Sequence, residues 1–134
     1  VLLALILAAC TSQPPRDDSL YRNLGEQAGI TRIVEGMLLN SARNPRIAHY
    51  FRDIDIERLR DKLVEQVCVE AGGPCEYTGD SMEESHKGLN IDRGDFNAQV
   101  ENLIDAMDAE GIPVAAQNRL LARLAPMRGQ IIER

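Results

Sequence analysis

With 134 residues, 44% of them hydrophobic, the chain has the length and composition of one domain with a real buried core. Only two Phe and three Tyr are present, and no Trp, so the core must be mostly aliphatic, which suits helices better than a β-sandwich. The formal charge of -6 argues against nucleic acid as a partner, because a phosphate-binding surface needs a basic excess.

Residues Val1 to Ala9 are apolar and uncharged, but far short of the roughly 20 residues that span a bilayer as a helix. They read as the end of an export signal. Leu7-Ala8-Ala9-Cys10 resembles a bacterial lipobox, whose cysteine is acylated and becomes the new N-terminus. An ordinary cleaved signal, with Cys10 merely downstream, is the competing reading. The expected organisation is a signal or lipobox segment over 1–10, a tether over 11–18 and a folded domain over 19–134. The corresponding location is the periplasmic side of a bacterial cell envelope, with lipid attachment through Cys10.

Beyond the tether the apolar spacing is helical and no run alternates with period two. A short helix is predicted from Ser19 to Leu24, ending at Gly25. The next, Ala28 to Arg43, places Ile30, Ile33, Val34, Met37, Leu38 and Ser41 on one face and stops at Asn44-Pro45. Pro45 to Phe51 reads as a compact turn delivering Ile47, Tyr50 and Phe51 inward. Asp55 caps a helix in which Leu59, Leu63 and Val67 recur every four residues. Gly72-Gly73-Pro74 ends it. After a turn-rich loop comes a segment too short to fold alone, carrying His86 and then Gly88. Asp92 or Asp95 caps a helix with Phe96, Val100, Leu103, Ile104 and Met107, ended by Gly111. Pro113 opens the last helix, with Leu120, Leu121, Leu124 and Ile131 as its stripe and a bend at Pro126.

Setting Cys10 aside leaves Cys68 and Cys75, which flank the Gly-Gly-Pro break. They are either a disulfide that staples the helix end to the loop or two reduced thiols. The usual catalytic constellations are absent. Glu83, Glu84, Asp105 and Asp108 read as solvated faces, and Cys68, Cys75, His49 and His86 lack a zinc spacing. His86 is different: glycines bracket its short segment, and an apolar face lies on the preceding helix. A porphyrin supplies four equatorial nitrogens, so a single imidazole with an apolar slot suffices to hold haem iron.

At these residues the chain resembles the group I truncated haemoglobins, small globins with a two-over-two helical sandwich. The resemblance runs from about Ser19 to Ile131. It is carried by Leu20-Tyr21-Arg22-Asn23-Leu24-Gly25, Asn44-Pro45-Arg46, Gly72-Gly73-Pro74 with Tyr77-Thr78-Gly79, Met82-x-x-x-His86-x-Gly88-Leu89 and Leu124-Ala125-Pro126. Of the glycine pairs typical of the family, Gly72-Gly73 is intact and the first is thinned to Gly25-Glu26. The resemblance implies an all-α fold around haem b, with His86 as proximal iron ligand. It makes Phe51 the aromatic against the porphyrin, Met82 a packing contact, Lys62 and Tyr77 candidates for the propionates, and Leu59, Leu63 and Val67 the distal lining.

Many members hold dioxygen with a Tyr on the second helix and a Gln on the distal helix. Those positions fall on Leu38 and Leu63, and leucine donates nothing. Bound dioxygen is partly negative, so each missing charge-assisted bond weakens binding by roughly 1.5 to 3 kcal/mol. Carbon monoxide and nitric oxide suffer less. His49, Tyr50 and Gln66 are the remaining polar groups that could swing toward such a site; His49, which precedes the aromatic pair, reads as pointing to solvent, with a role as sixth ligand the alternative. The implied function is reversible binding of diatomic gases. A haem enzyme on the same scaffold, either a nitric oxide dioxygenase or a peroxidase-like activity with an unknown reductant, is one rival. A haem-free helical lipoprotein acting by protein contacts is the other.

Overall fold

The computed structural model describes residues 17–134, and among these residues every regular element is helical. The signal or lipobox segment, Cys10 and most of the tether lie outside the described residues. The last two tether residues already serve the domain. Asp17 accepts from the Ser19 amide and hydroxyl, and Asp18 pairs with Arg22 at 3.0 Å, so both secure the start of α1 (Ser19–Asn23).

The second helix, α2 (Glu26–Arg43), begins two residues earlier than its periodicity predicts. Gly25 at φ +91 turns the chain sharply, and Glu26 follows at φ +60, in the left-handed region where a glycine is at ease and a glutamate is not. All six residues of the predicted stripe, Ile30, Ile33, Val34, Met37, Leu38 and Ser41, are buried. Ser41 fits there because its hydroxyl meets Met37 O at 2.8 Å and Gln99 Oε1 at 2.6 Å. The helix ends at Asn44, extended before Pro45, as the residue before a proline prefers.

A 3-10 turn (Ala48–Phe51) leads to α3 (Ile56–Glu70), which Asp55 caps by accepting from the Arg58 amide. The short α4 (Met82–His86) is capped in the same way by Ser81. In α5 (Arg93–Ala109) both aspartates act together. Asp92 is the N-cap, Asp95 returns a bond to its amide, and the two close a capping box. The last predicted helix is two helices. Pro113 is the cap and not the first turn of α6 (Val114–Leu124), and Pro126 does more than bend the chain. Having no amide hydrogen to donate, it breaks the helix into a 3-10 turn (Ala125–Met127) followed by α7 (Arg128–Ile131).

Helix α2 is the centre of the packing, lying against α5 on one side and α3 on the other. Its approach to α5 is close because Gly36 faces Ala106, where an added Cβ would come within 3.2 Å of the alanine methyl. Helix α6 covers α1 and α3, completing a sandwich of helices over helices with Leu20, Leu24, Ile30, Ile33, Met107 and Leu120 at its centre. Helix α4 stands apart from this core and leans on α7.

Candidate functional site

His86 closes the last turn of α4, half-buried. Its Nδ1 lies 2.7 Å from the carbonyl oxygen of Met82 one turn earlier and 3.0 Å from Ser85 Oγ. A carbonyl can only accept, so Nδ1 carries a hydrogen, and in the neutral imidazole the lone pair is then on Nε2. Nε2 makes no hydrogen bond among the described residues. Fixing one ring nitrogen on a backbone carbonyl is the way proteins orient an imidazole whose other nitrogen binds a metal. No group of three or more His, Cys, Asp or Glu among the described residues gathers to hold a bare ion. A metal at His86 would therefore need to bring its other ligands with it, as a porphyrin does.

Three of the apolar residues expected to line such a group pack against the core without being fully covered by it. Phe51 on the 3-10 turn and Leu59 and Leu63 on α3 are half-buried, each packed on the core while keeping a face uncovered. Val67, exposed by only 5%, and Leu38, by 9%, belong to the buried core itself. Met82 projects from α4 toward α3, where its sulfur receives the Gln66 amide at 3.1 Å. Next to it, a cavity of about 230 Å³ is bounded by Gln66, Val69, Tyr77, Met82 and Met127, and His86 does not line it.

The loop between α3 and α4 is stapled to α3 at two successive turns. Cys68 and Cys75 form a disulfide, which settles the two readings of that pair. One turn earlier, Glu65 accepts from the Thr78 amide and hydroxyl, and Lys62 Nζ donates to both Thr78 Oγ1 and Glu65. The Thr78 amide, above all, holds the Glu65 carboxyl below its ordinary range. Lys62 and Tyr77 thus meet at the same rim, but each already has a partner, Tyr77 donating to Asp80 O. Burial raises the Tyr77 phenol, and Asp80 and Glu65 add to the rise, while Arg58 opposes it. Arg58 is a residue that spacing on α3 had not singled out. It lies one turn before Lys62, and its side chain forms no ion pair among the described residues.

The polar groups considered for the distal side are arranged differently from one another. Tyr50 donates its hydroxyl to Asp95 Oδ2 at 2.8 Å. His49 is exposed, with its ring 4.0 Å from that of Tyr50. Gln66 is half-buried and turns its amide to two thioethers, Met82 and Met127. The carboxylates Glu83, Glu84 and Asp105 are exposed, and Asp108 accepts from Gln117.

A small helical sandwich with one imidazole held on a backbone carbonyl is the arrangement of a globin, and comparison agrees with it. Residues 19–133 match the family described as bacterial-like globin, and the chain belongs to that family. It is similar to the group 1 truncated hemoglobin of a Nostoc species, 29% identical over 87% of this chain and 98% of that one. It is also similar to that of Mycolicibacterium paratuberculosis, 28% identical over 84% of this chain and 83% of the relative. Among solved structures, the truncated hemoglobin of Tetrahymena pyriformis in its Fe(III) form superposes with a TM-score of 0.83 at 24% identity, covering 86% of this chain and 98% of that one. The fold expected from the resemblance, two-over-two and all-α, is the fold observed.

Proposed function

We propose that the chain binds haem b through His86 and uses it to bind diatomic gases reversibly. The observation that carries this reading is the imidazole itself, with Nδ1 anchored on the Met82 carbonyl and the Nε2 lone pair uncommitted. The residues present suit the group. Phe51, Leu59 and Leu63 keep apolar surface uncovered that a macrocycle would bury, and Met82 supplies the carbonyl that orients His86. Arg58, Lys62 and Tyr77, gathered at the rim of the α3–α4 loop, suit its two carboxylates. When bound, haem would supply the iron that takes up a gas. His86 would hold that iron, and Phe51, Leu59 and Leu63 would supply aliphatic and aromatic surface that keeps water away.

Similarity to group 1 truncated hemoglobins supports the same reading, as does the matched family. The apolar Leu38 and Leu63 favour the less polar gases over dioxygen. The apolar leader and Leu7-Ala8-Ala9-Cys10 support attachment at the periplasmic face of the envelope. The deciding measurement is an absorption spectrum of purified, haem-supplied protein beside His86→Ala, taken ferric, ferrous and with carbon monoxide. A Soret band that is present in wild type and altered or lost in the variant is the expected result. A colourless wild type, or a band indifferent to the substitution, overturns the proposal.

A further inference from the structure

Helix α4 has five residues, well below the ~12 that a helix needs to persist alone, and yet it carries the ligand. Its pose comes from outside. Beyond His86 the chain is clamped by two main-chain bonds, Gly88 N–H to Arg134 O at 2.9 Å and Glu133 N–H to Ile91 O at 2.8 Å. Its body rests on α7. From α3, one side-chain hydrogen bond crosses to it among the described residues, that of Gln66 Nε2 to Met82 Sδ at 3.1 Å; the same amide reaches Met127 Sδ at 3.4 Å.

We propose that Gln66 is a positioning residue for His86. Its amide holds the side chain of Met82, and the carbonyl of that same Met82 takes the Nδ1 hydrogen of His86 at 2.7 Å. One residue thus links α3, which bears Leu59 and Leu63, to the orientation of the imidazole. The chemistry of the contact favours this role over simple satisfaction of the amide. Thioethers are weak acceptors, so a half-buried glutamine facing two of them gains little for itself. What it does gain is geometry, because Met82 and Met127 belong to different elements and converge on one nitrogen.

This inference rests on the haem reading above, and its test keeps the two separable. Gln66→Leu, Met82→Leu and the double variant are prepared as full-length, haem-loaded protein. Two quantities are measured: the iron–imidazole stretching band of the ferrous form by resonance Raman, and the rate of haem loss to an acceptor protein. The expected result is a shifted or broadened band and about threefold to tenfold faster haem loss in each single variant. The double variant should be no worse than the poorer single one, because both remove the same link. An unchanged band and rate in Gln66→Leu, or independent addition of the two effects, overturns the proposal while leaving the haem reading intact. A wild type without a His86-dependent spectrum overturns both. If Gln66→Leu loses its far-ultraviolet helical signal, Met82→Leu carries the test: a shifted band supports the link, and an unshifted one refutes it.

Discussion

The hydroxyl of Tyr50 donates to the carboxylate of Asp95 at 2.8 Å, and this bond ties the turn that presents Phe51 to the capping box of α5. Arg46 joins from the same turn region, its guanidinium 2.9 Å from both Asp95 and Asp92. The network fixes an edge of the candidate site to the body of the sandwich, and it titrates at both ends of the pH scale.

Burial, with Asp95 reinforcing it, pushes the Tyr50 phenol up to about 12. A raised phenol favours the fold in its neutral form, so this contribution is complete below the unfolded value of about 10 and is lost as pH rises toward 12. Burial alone would raise Asp95, but bonds from Tyr50, the Asp92 amide and Arg46 outweigh it and hold the carboxyl below its ordinary range. That contribution is complete above about pH 4 and disappears as pH falls through the lowered value. Urea midpoints should therefore form a plateau between these limits. Tyr50→Phe should flatten the alkaline decline and remove the last phase of the phenolate titration at 295 nm.

Leu38→Tyr and Leu63→Gln each place a donor where bound dioxygen would be partly negative. Each should slow dioxygen release by about tenfold to a hundredfold, as a charge-assisted bond worth roughly 1.5 to 3 kcal/mol implies, with a smaller effect on carbon monoxide. Stopped-flow release from ferrous protein measures this. Rates unchanged by both substitutions would place the gas away from α2 and α3.

The Cys68–Cys75 bridge spans seven positions and binds the end of α3 to the loop bearing Tyr77 and Thr78. Removing it as Cys68→Ala with Cys75→Ala should cost about 2 kcal/mol from the entropy of the freed short loop. Urea unfolding of the double variant beside disulfide-bonded wild type reads this directly. The reduced wild type and the double variant should agree.

Glu26 occupies a backbone region that suits glycine, at φ +60 directly after Gly25. Glu26→Gly relieves strain of about 1 to 2 kcal/mol and gives back part of it through the freer unfolded chain. A net gain near ~0.5 kcal/mol is expected. Chemical denaturation that showed a loss instead would mean that the Glu26 side chain contributes more than its backbone costs.

The helices were largely legible because their signals are local. The stripe of α2, the Asp55 cap, the aspartate box of α5 and the stops at Gly25, Asn44 and Gly111 all lie within a turn or two of what they control. His86 stood out for a similar reason, as a single imidazole on a segment bounded by glycines. The last helix differs from its predicted bounds because a proline can either open or interrupt a helix: Pro113 caps α6, and Pro126 lies in the 3-10 turn that ends it.

The amino-acid sequence by itself determined the class of fold, the apolar faces and the identity of the candidate ligand, because helix periodicity and capping depend on near neighbours in the chain. The tertiary structure alone decided which groups meet: the Cys68–Cys75 bridge, the Thr78 clasp on Glu65 and Lys62, and the reach of Gln66 to Met82. It also decided the clamp of the 133–134 segment on residues 88 and 91. These contacts join residues as far apart as 13 to 46 positions, or bring a loop back on its own helix. Such pairings follow from how the chain folds back on itself, which no local pattern records.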